Sequence, residues 1–465
     1  MTYPPSGPAL REPGPDLSSA PAPVTVPAQR RGAPSVAVER LRAAATTEPG
    51  RLQIIGAALA LLVVVFGAVT VLEVSGRASS AADVVTRSQP LSADAASIYR
   101  SLADADTMAA SGFLAGAQEP KDVHEQYEKD IKEASRLLVK AAGSTDTSSS
   151  SHQEITTLGE LLPEYTGLIE RARANNRQGL PLGGAYLRYA NQKMTNEILP
   201  AAERLYTAET HRLGTDSADA RRWPFLSLAA GLVALAALVW MQRRNYRRTN
   251  RVFNHGLLAA TAAATVVLLW LAVGHTVARA ELHGAMVNGQ QSLDVLNKAR
   301  INSLKARANE NLTLVARGAV LTPDGTKDQY ETDYGTGMKA LGAQLASAAK
   351  LAGDDSTGRA PVDAAATSVT EWQDRHKKAR ETDDQGDYDS ALSQIIGPEN
   401  STGESFDEVD DALELALAHE QDQFDSAAAD GRGALGGLPA GAAVLAVLGA
   451  VAAIVGVNRR LSEYR

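Results

Sequence analysis

Four apolar runs without a single charged residue decide what this chain can fold into. They are Leu52–Leu72, Trp223–Met241, Gly256–Ala278 and Leu435–Val457. Crossing about 30 Å of hydrocarbon at about 1.5 Å per helical residue takes roughly 20 apolar residues, and each run is long enough. In a chain that is 22% charged, four such runs fit membrane spans better than buried core helices. The first run begins about fifty residues in, which fits an uncleaved signal anchor better than a cleaved signal peptide. Small residues at Ser79–Ala82 do resemble a cleavage site.

Arginines set the orientation, because short cytoplasmic segments accumulate them. Arg243, Arg244, Arg247, Arg248 and Arg251 lie between the second and third spans with no acid among them. Arg459, Arg460 and Arg465 follow the fourth span against Glu463, and six Arg face four acids ahead of the first. All three segments fall on one side, which is read as cytoplasmic in a plasma-membrane protein with both termini inside. The expected organisation is a Pro-rich tail at 1–51, spans at 52–74, 223–241, 252–278 and 435–457, a basic loop at 242–251, a short tail at 458–465, and outer domains at 75–222 and 279–434. The first 51 residues hold ten of the 20 prolines and read as disordered or polyproline-like.

Cysteine is absent, so the exported parts must hold by packing alone, as bacterial exported domains do. The first outer domain carries 17 Lys+Arg and 20 Asp+Glu, the second 15 and 28, which gives net charges of −3 and −13. Surfaces this acidic repel phosphate backbones, so nucleic acid is not an expected partner.

Both outer domains read as helical. Ile155, Leu158, Leu162, Tyr165, Ile169 and Ala172 recur at spacings of three and four, and Val123, Tyr127, Ile131, Ala134, Leu138 and Ala141 keep a similar rhythm. Tyr334, Met338, Leu341, Leu345 and Ala348 repeat the pattern, and Val409, Leu413, Ala416 and Glu420 approximate it. Such spacing lays a narrow apolar stripe along a helix, whereas strand-like alternation is missing. Turn signals at Gly116–Pro120, Gly143–Ser151 and Gly179–Gly184, and at Thr322–Thr326, Gly353–Pro361 and Gly397–Gly403, cut each domain into four helical stretches. The fold expected is an all-α membrane protein in which four spans carry two duplicated extracytoplasmic four-helix bundles.

Duplication is suggested by short matches in the same order. Gln126-Tyr127-Glu128-Lys129-Asp130 recurs as Gln329-Tyr330-Glu331-Thr332-Asp333, and Glu164-Tyr165 as Glu371-Trp372. Ala172-Arg173 and Gln178-Gly179 recur as Ala379-Arg380 and Gln385-Gly386. The two halves then share one topology, as parallel repeats.

Catalytic and cofactor signatures are missing. The cytoplasmic pieces are too short for a kinase or cyclase core, so any inward signal is expected to pass through another protein. His124, His152, His211, His283, His376 and His419 show no paired spacing and read as exposed helical residues, and neither metal nor cofactor is expected. The spans hold no charge at mid-depth, which argues against a transporter. Small-residue pairs at Gly56 and Ala60, and at Gly437 and Gly441, suit close helix approach. For ligand or partner contact the repeated polar positions stand out: Arg173 and Arg380 at equivalent helix ends, and Tyr127, Tyr330 and Trp372 on the seams. Each has a plainer reading, dipole stabilisation for the arginines and core packing for the rings. The acidic turn Glu381–Asp389 is a docking or cation-site candidate beside a plainer reading as solvated loop.

This layout resembles the GlnX family of actinobacterial membrane proteins, and each bundle is similar to the outer four-helix domain of chemoreceptors and sensor kinases. The resemblance rests on the Arg-rich central loop, the paired outer bundles, the Pro-rich start and the short C-terminal tail. It implies a non-enzymatic sensor that relays extracytoplasmic amino-acid availability, of aspartate or glutamate type, from the glutamine-binding lipoprotein GlnH to the soluble serine/threonine protein kinase G. A structural scaffold of a cell-envelope complex and an accessory subunit of a transporter are the alternatives. Membrane lipid is an expected partner, and the sequence leaves a homo-oligomer open.

Overall fold

The computed structural model describes residues 48–249 and 254–461. The expectations for residues 1–47, for Arg251 of the basic loop and for Glu463 and Arg465 lie outside the described residues. Helix begins at Glu48, so the end of the stretch read as disordered is ordered.

The first half opens with α1 (Glu48–Asp83), which runs through a π turn at Val84–Ser88 into α2 (Gln89–Leu114). It continues with α3 (Lys121–Ser144), α4 (Ser150–Arg177), α5 (Leu182–Lys193), a π turn at Met194–Ile198, α6 (Leu199–Ala220) and α7 (Phe225–Thr249). The second half repeats this order: α8 (His255–Gly284), a π turn at Ala285–Gln290, α9 (Gln291–Ala316), α10 (Gln329–Ala352), α11 (Ser356–Asp384), α12 (Tyr388–Ile396), α13 (Thr402–Leu435) and α14 (Leu438–Leu461). No strand occurs among the described residues; a lone bridge between Leu321 and Asp328 pins the turn before α10. The α1–α2 rod is about 100 Å long at about 1.5 Å per residue.

Four described helical segments are long and apolar enough to cross a membrane, and their most apolar parts coincide with α1, α7, α8 and α14. These four pack in a ring, α1 against α7, α7 against α8, α8 against α14 and α14 against α1. Leu59, Val63, Phe66, Leu238, Leu257 and Val267 fill the middle. The outer faces are also apolar: Leu72 is 76% exposed, Leu269 60% and Val447 60%. An apolar surface on both sides of a helix ring is stable in hydrocarbon and a liability in water. Close approach depends on glycine. A Cβ on Gly256 would lie 2.4 Å from the Ala452 oxygen, and one on Gly441 2.3 Å from the Trp270 ring. Asn254 caps α8 and also donates to the Gly456 oxygen at 2.8 Å, tying α8 to α14. Of the small-residue pairs, Gly56 meets Val457 and Gly441 meets Trp270, while Gly437 instead makes the left-handed turn between α13 and α14.

Beyond the spans stand two bundles, α2 to α6 and α9 to α13. Most seam residues of both fall inside, among them Tyr127, Leu138, Leu158, Ile169, Met338, Leu341, Leu413 and Glu420, while Val123 and Ile131 are half-buried. The first bundle has the expected four helical stretches. In the second, a further break after Asp384 divides the third stretch into α11 and α12, and the turn read at Gly397–Gly403 parts α12 from α13. Each half meets a proline near this point. Pro200 follows a π turn, whose widened hydrogen-bond ladder accommodates the missing N–H, and the helix runs on. Pro398 follows Gly397, no such turn precedes it, and the chain leaves the helix until Ser401 caps α13.

The repeated Gln-Gly element has a local cause. At the end of α4 the Gly179 N–H meets the Asn176 oxygen and the Leu180 N–H the Asn175 oxygen; at the end of α11 the Gly386 N–H meets Asp383 and the Asp387 N–H meets Thr382. Both are Schellman closures, with glycine at φ +68° and +87°. The repeated Gln-Tyr-Glu-x-Asp element is a pair along one helix face: Gln126 donates to Asp130 and Gln329 to Asp333.

At the foot of the bundles Arg77 donates to the Arg222 and Trp223 oxygens at 2.6 and 2.9 Å, and Arg279 to the Arg221 oxygen at 2.9 Å. Glu73 accepts from the Ser227 N–H at 2.8 Å. Two arginines thereby clamp the carbonyls that the break between α6 and α7 leaves without helical partners.

Gly256→Leu is expected to destabilise the detergent-solubilised protein, since overpacking costs about 1–3 kcal/mol. Gly167→Ala, at an exposed helical position with open space around it, is expected to raise stability by about 0.5–1 kcal/mol. Thermal unfolding measures both, and a Gly256→Leu protein as stable as its parent would contradict the packing of α8 on α14.

Candidate ligand cleft and buried polar clusters

Each bundle buries a carboxylate beneath an aromatic ring from the facing helix, among other buried acids. In the first, Asp106 on α2 accepts from the Tyr165 hydroxyl at 3.1 Å and from Asn191 Nδ2 at 2.7 Å. In the second, Glu310 on α9 accepts from Trp372 Nε1 at 3.1 Å, from Arg307 Nη1 at 2.6 Å, and pairs with His376 Nδ1 at 2.8 Å. Tyr165 and Trp372 are the ring positions of the short Glu-Tyr and Glu-Trp match in the sequence.

The two sites differ in charge. Asp106 has only neutral donors, so burial raises it to about 6 against the pull of those hydrogen bonds. For Glu310, burial also favours the neutral form, but His376 and Arg307 outweigh it and hold the carboxylate below its ordinary range. His376 stacks on Tyr334 with ring centres 3.8 Å apart and reaches Glu331 through Nε2 at 3.2 Å. Burial works against its charge, yet the hydrogen bonds and charges of Glu310 and Glu331 hold it up to about 9. His376 therefore corrects the expectation of an exposed histidine: it is only 4% exposed and is part of the core.

The residues singled out in sequence lie around these same sites. Tyr127 is buried with the Arg173 guanidinium 4.1 Å over its ring. Arg173 is itself buried and pairs with Glu119 at 3.0 Å and Glu170 at 3.1 Å. Arg380 is half-buried and pairs with Asp383 at 2.6 Å and Glu331 at 3.4 Å. Tyr330 is buried in the seam and Trp372 is wholly enclosed. The structure gathers Arg380 and Trp372 around the Glu310–His376 cluster and keeps Arg173 and Tyr127 together in the other bundle. In the acidic turn, Asp383 pairs with Arg380 and Asp387 caps α12. Among the described residues no group of three or more His, Cys, Asp or Glu is placed to hold a metal ion.

What sequence reasoning missed lies between the bundles. Helices α2 and α9 run side by side in the same direction, and one apolar core continues through both bundles. The Thr107 hydroxyl donates to the Leu304 oxygen at 2.9 Å, and Asn311 donates to the Ser111 hydroxyl at 2.7 Å. Two clefts flank this pair. One, of about 370 Å³, is lined from both bundles by residues including Gln89, Arg100, Tyr206, Gln290, Asn297 and Arg300. The other, of about 490 Å³, lies on the opposite side and includes Tyr99, Glu203, Lys298 and Lys305. Polar residues at 97, 100, 104 and 107 on α2 were the available signal, since one helix face that is neither apolar nor solvated marks a polar interface.

An acidic cluster crosses the same seam. Asp104 and Asp130 share the Gln126 amide, and Asp410 on α13 binds Arg300 at 2.7 Å through both oxygens. Burial raises both Asp104 and Asp130; Asp410 adds to the effect on Asp104, and Asp104 to that on Asp130.

Residues 80–218 match the family described as an actinobacterial sensor domain. The match covers the first outer bundle, less than a third of the chain, and it supports an actinobacterial sensor protein. No curated protein matches the chain, and neither does any solved structure.

His376 gives a pH test. Its charge stabilises the folded chain fully below about 6.5, and that contribution, on the order of 3 kcal/mol, is lost as pH rises through about 9. Unfolding temperatures of the parent and of His376→Gln, measured from pH 6 to 10, are expected to differ most at the acid end and to converge at the alkaline end. A constant gap across the range would show that the imidazole is uncharged in the fold.

Proposed function

We propose that this chain is a non-enzymatic membrane sensor that relays an extracytoplasmic signal, from a solute-binding lipoprotein or an amino acid, to a cytoplasmic serine/threonine kinase or its adaptor. The observation that carries the reading is the unbroken helical path from span to bundle. The α1–α2 and α8–α9 rods pass from the apolar ring to the outer end without leaving the helix. A stiff rod delivers a displacement of about 1–2 Å at one end to the other, which is the scale of known helix-shift signalling.

Three further features support it. The match to a sensor domain falls on the outer bundle. The end of the bundles farthest from the spans exposes Leu180, Leu182 and Leu321, apolar side chains suited to a protein partner. The arginines in the last turns of α7 favour a cytoplasmic position for that end of the helix, and with it both termini, in the plasma membrane. Internal duplication belongs to the same reading: like π turns lead into α2 and α9, like Schellman closures end α4 and α11, and like carboxylates sit at 106 and 310. Kinship with the GlnX family, and with it the GlnH and protein kinase G partners, is proposed on the shared layout.

The test uses the cysteine-free background. Spin labels at Tyr246→Cys and Val455→Cys, exposed positions near the inner ends of α7 and α14, are placed in the full chain in nanodiscs. Addition of the solute-binding lipoprotein is expected to shift the inter-label distance by about 1–2 Å. Unchanged distances with the lipoprotein demonstrably bound would sink the relay and leave the scaffold reading.

A further inference from the structure

We infer that the cleft between the two bundles is a binding site for a small carboxylate anion, held by Arg100 on α2 and by amide and hydroxyl groups from both bundles. This rests on the sensor reading for its purpose and stands apart from it as chemistry.

Arg100 is the anomaly of the interface. Its guanidinium lines the cleft and donates to the Asn297 side-chain oxygen and, at 2.9 Å, to the Ser97 hydroxyl, both neutral. Its neighbour Arg300 is neutralised, by the bidentate Asp410 and by Glu414 at 2.9 Å. Asp410 and Glu414 lie near enough to favour the charge on Arg100 as well, but both are committed to Arg300. Arg100 is half-buried, and a guanidinium partly withdrawn from water beside carboxylates committed elsewhere is costly; an anion from outside lowers that cost. Burial, with repulsion from Arg300 second, pulls Arg100 down to about 10, which is the electrostatic mark of a cation short of a partner.

The shape of the site selects the anion. A guanidinium offers a planar fork that fits a carboxylate through two parallel hydrogen bonds. The cleft holds about 370 Å³, room for a small organic acid, and Gln89, Ser92, Gln290 and Asn297 along its wall can hydrogen-bond further polar atoms. Phosphate would fit the same fork, but it brings close to two negative charges beside Asp410 and Glu414, in a half whose outer domain carries a net −13. A singly charged carboxylate group is repelled less. Because the lining comes from α2 and α6 on one side and α9 and α13 on the other, a bound anion bridges the bundles and favours one packing of α2 on α9 over another.

The test is isothermal titration of the full chain in nanodiscs with acetate, succinate, L-glutamate and inorganic phosphate, each to about 10 mM, which covers weak specific sites. At least one carboxylate is expected to bind once per chain. Arg100→Gln is expected to weaken it at least tenfold, roughly the loss of one charge-assisted bidentate contact, and Arg100→Lys by less. Arg136→Gln, which removes a surface charge paired with Glu133, is expected to leave binding unchanged. If Arg100→Gln fails to fold, the Arg100→Lys comparison decides. No carboxylate binding, equal binding by the Arg100 variants, or tighter binding of phosphate overturns the assignment. A carboxylate that binds through Arg100 without moving the inner helix ends would preserve the site and remove the relay. Moving ends under the lipoprotein with no carboxylate bound would do the reverse.

Discussion

The contact on which the outer architecture depends is the parallel packing of α2 against α9. Each helix leaves the membrane ring as the continuation of a span, so neither can move sideways without moving its partner or bending. The Thr107 hydroxyl on the Leu304 oxygen shows how closely the backbones lie. Around this pair the other outer helices arrange themselves, α3 against α2 and α10 against α9, with α6 and α13 completing each bundle. The result is one continuous core under two bundles, where separate domains on a shared anchor would have met through a wetter and more polar boundary.

Buried charge distinguishes two halves that otherwise run through the same elements. Asp106 is surrounded by neutral donors and favours its protonated form, while Glu310 is ionised between an arginine and an imidazolium. Removing one partner from the second cluster exposes the others to an uncompensated charge, which costs more than the pair contributes while intact. The first cluster has less at stake in any single contact. The interface between the halves adds raised carboxylates at Asp104, Asp130 and Asp407, each favouring the proton-bound form under burial. A carboxyl whose pKa is raised by folding stabilises the native state only at low pH, and its contribution fades as pH rises through the folded value. His376 acts in the same direction, so these groups together favour the folded state toward the acid side.

Much of the fold could be read from the chain because it is helical and its periodicity is strict. The stripes through Tyr127, Leu158 and Leu341 are buried as spaced, and the glycines at 179 and 386 end helices where the pattern stops. The break at Gly397–Ser401 was legible as a turn signal, whereas the π turn that lets the first half run on through Pro200 leaves no compositional trace. The polar sites were legible only in part. Trp372 and Arg380 stood out as repeated positions, but Glu310, the carboxylate at the centre of their cluster, lies 62 residues from Trp372 and 66 from His376 and is brought there only by packing. Arg100 showed in the sequence only as one of the polar positions on α2; that Asp410 and Glu414 bind Arg300 in its place is a property of three dimensions.

The break at Gly397–Ser401 also makes the halves mechanically unequal. In the first, the leg returning toward the membrane is stiff from Leu182 to Ala220, and Arg77 and Arg279 brace its foot. In the second, the corresponding leg is jointed near its outer end and meets its span through Gly436 and Gly437, which have no side chain to brace. Under load at the tip, one side behaves as a strut and the other as an articulated stay. Compliance is thus concentrated in the second half, and the chain has a built-in direction in which it yields first.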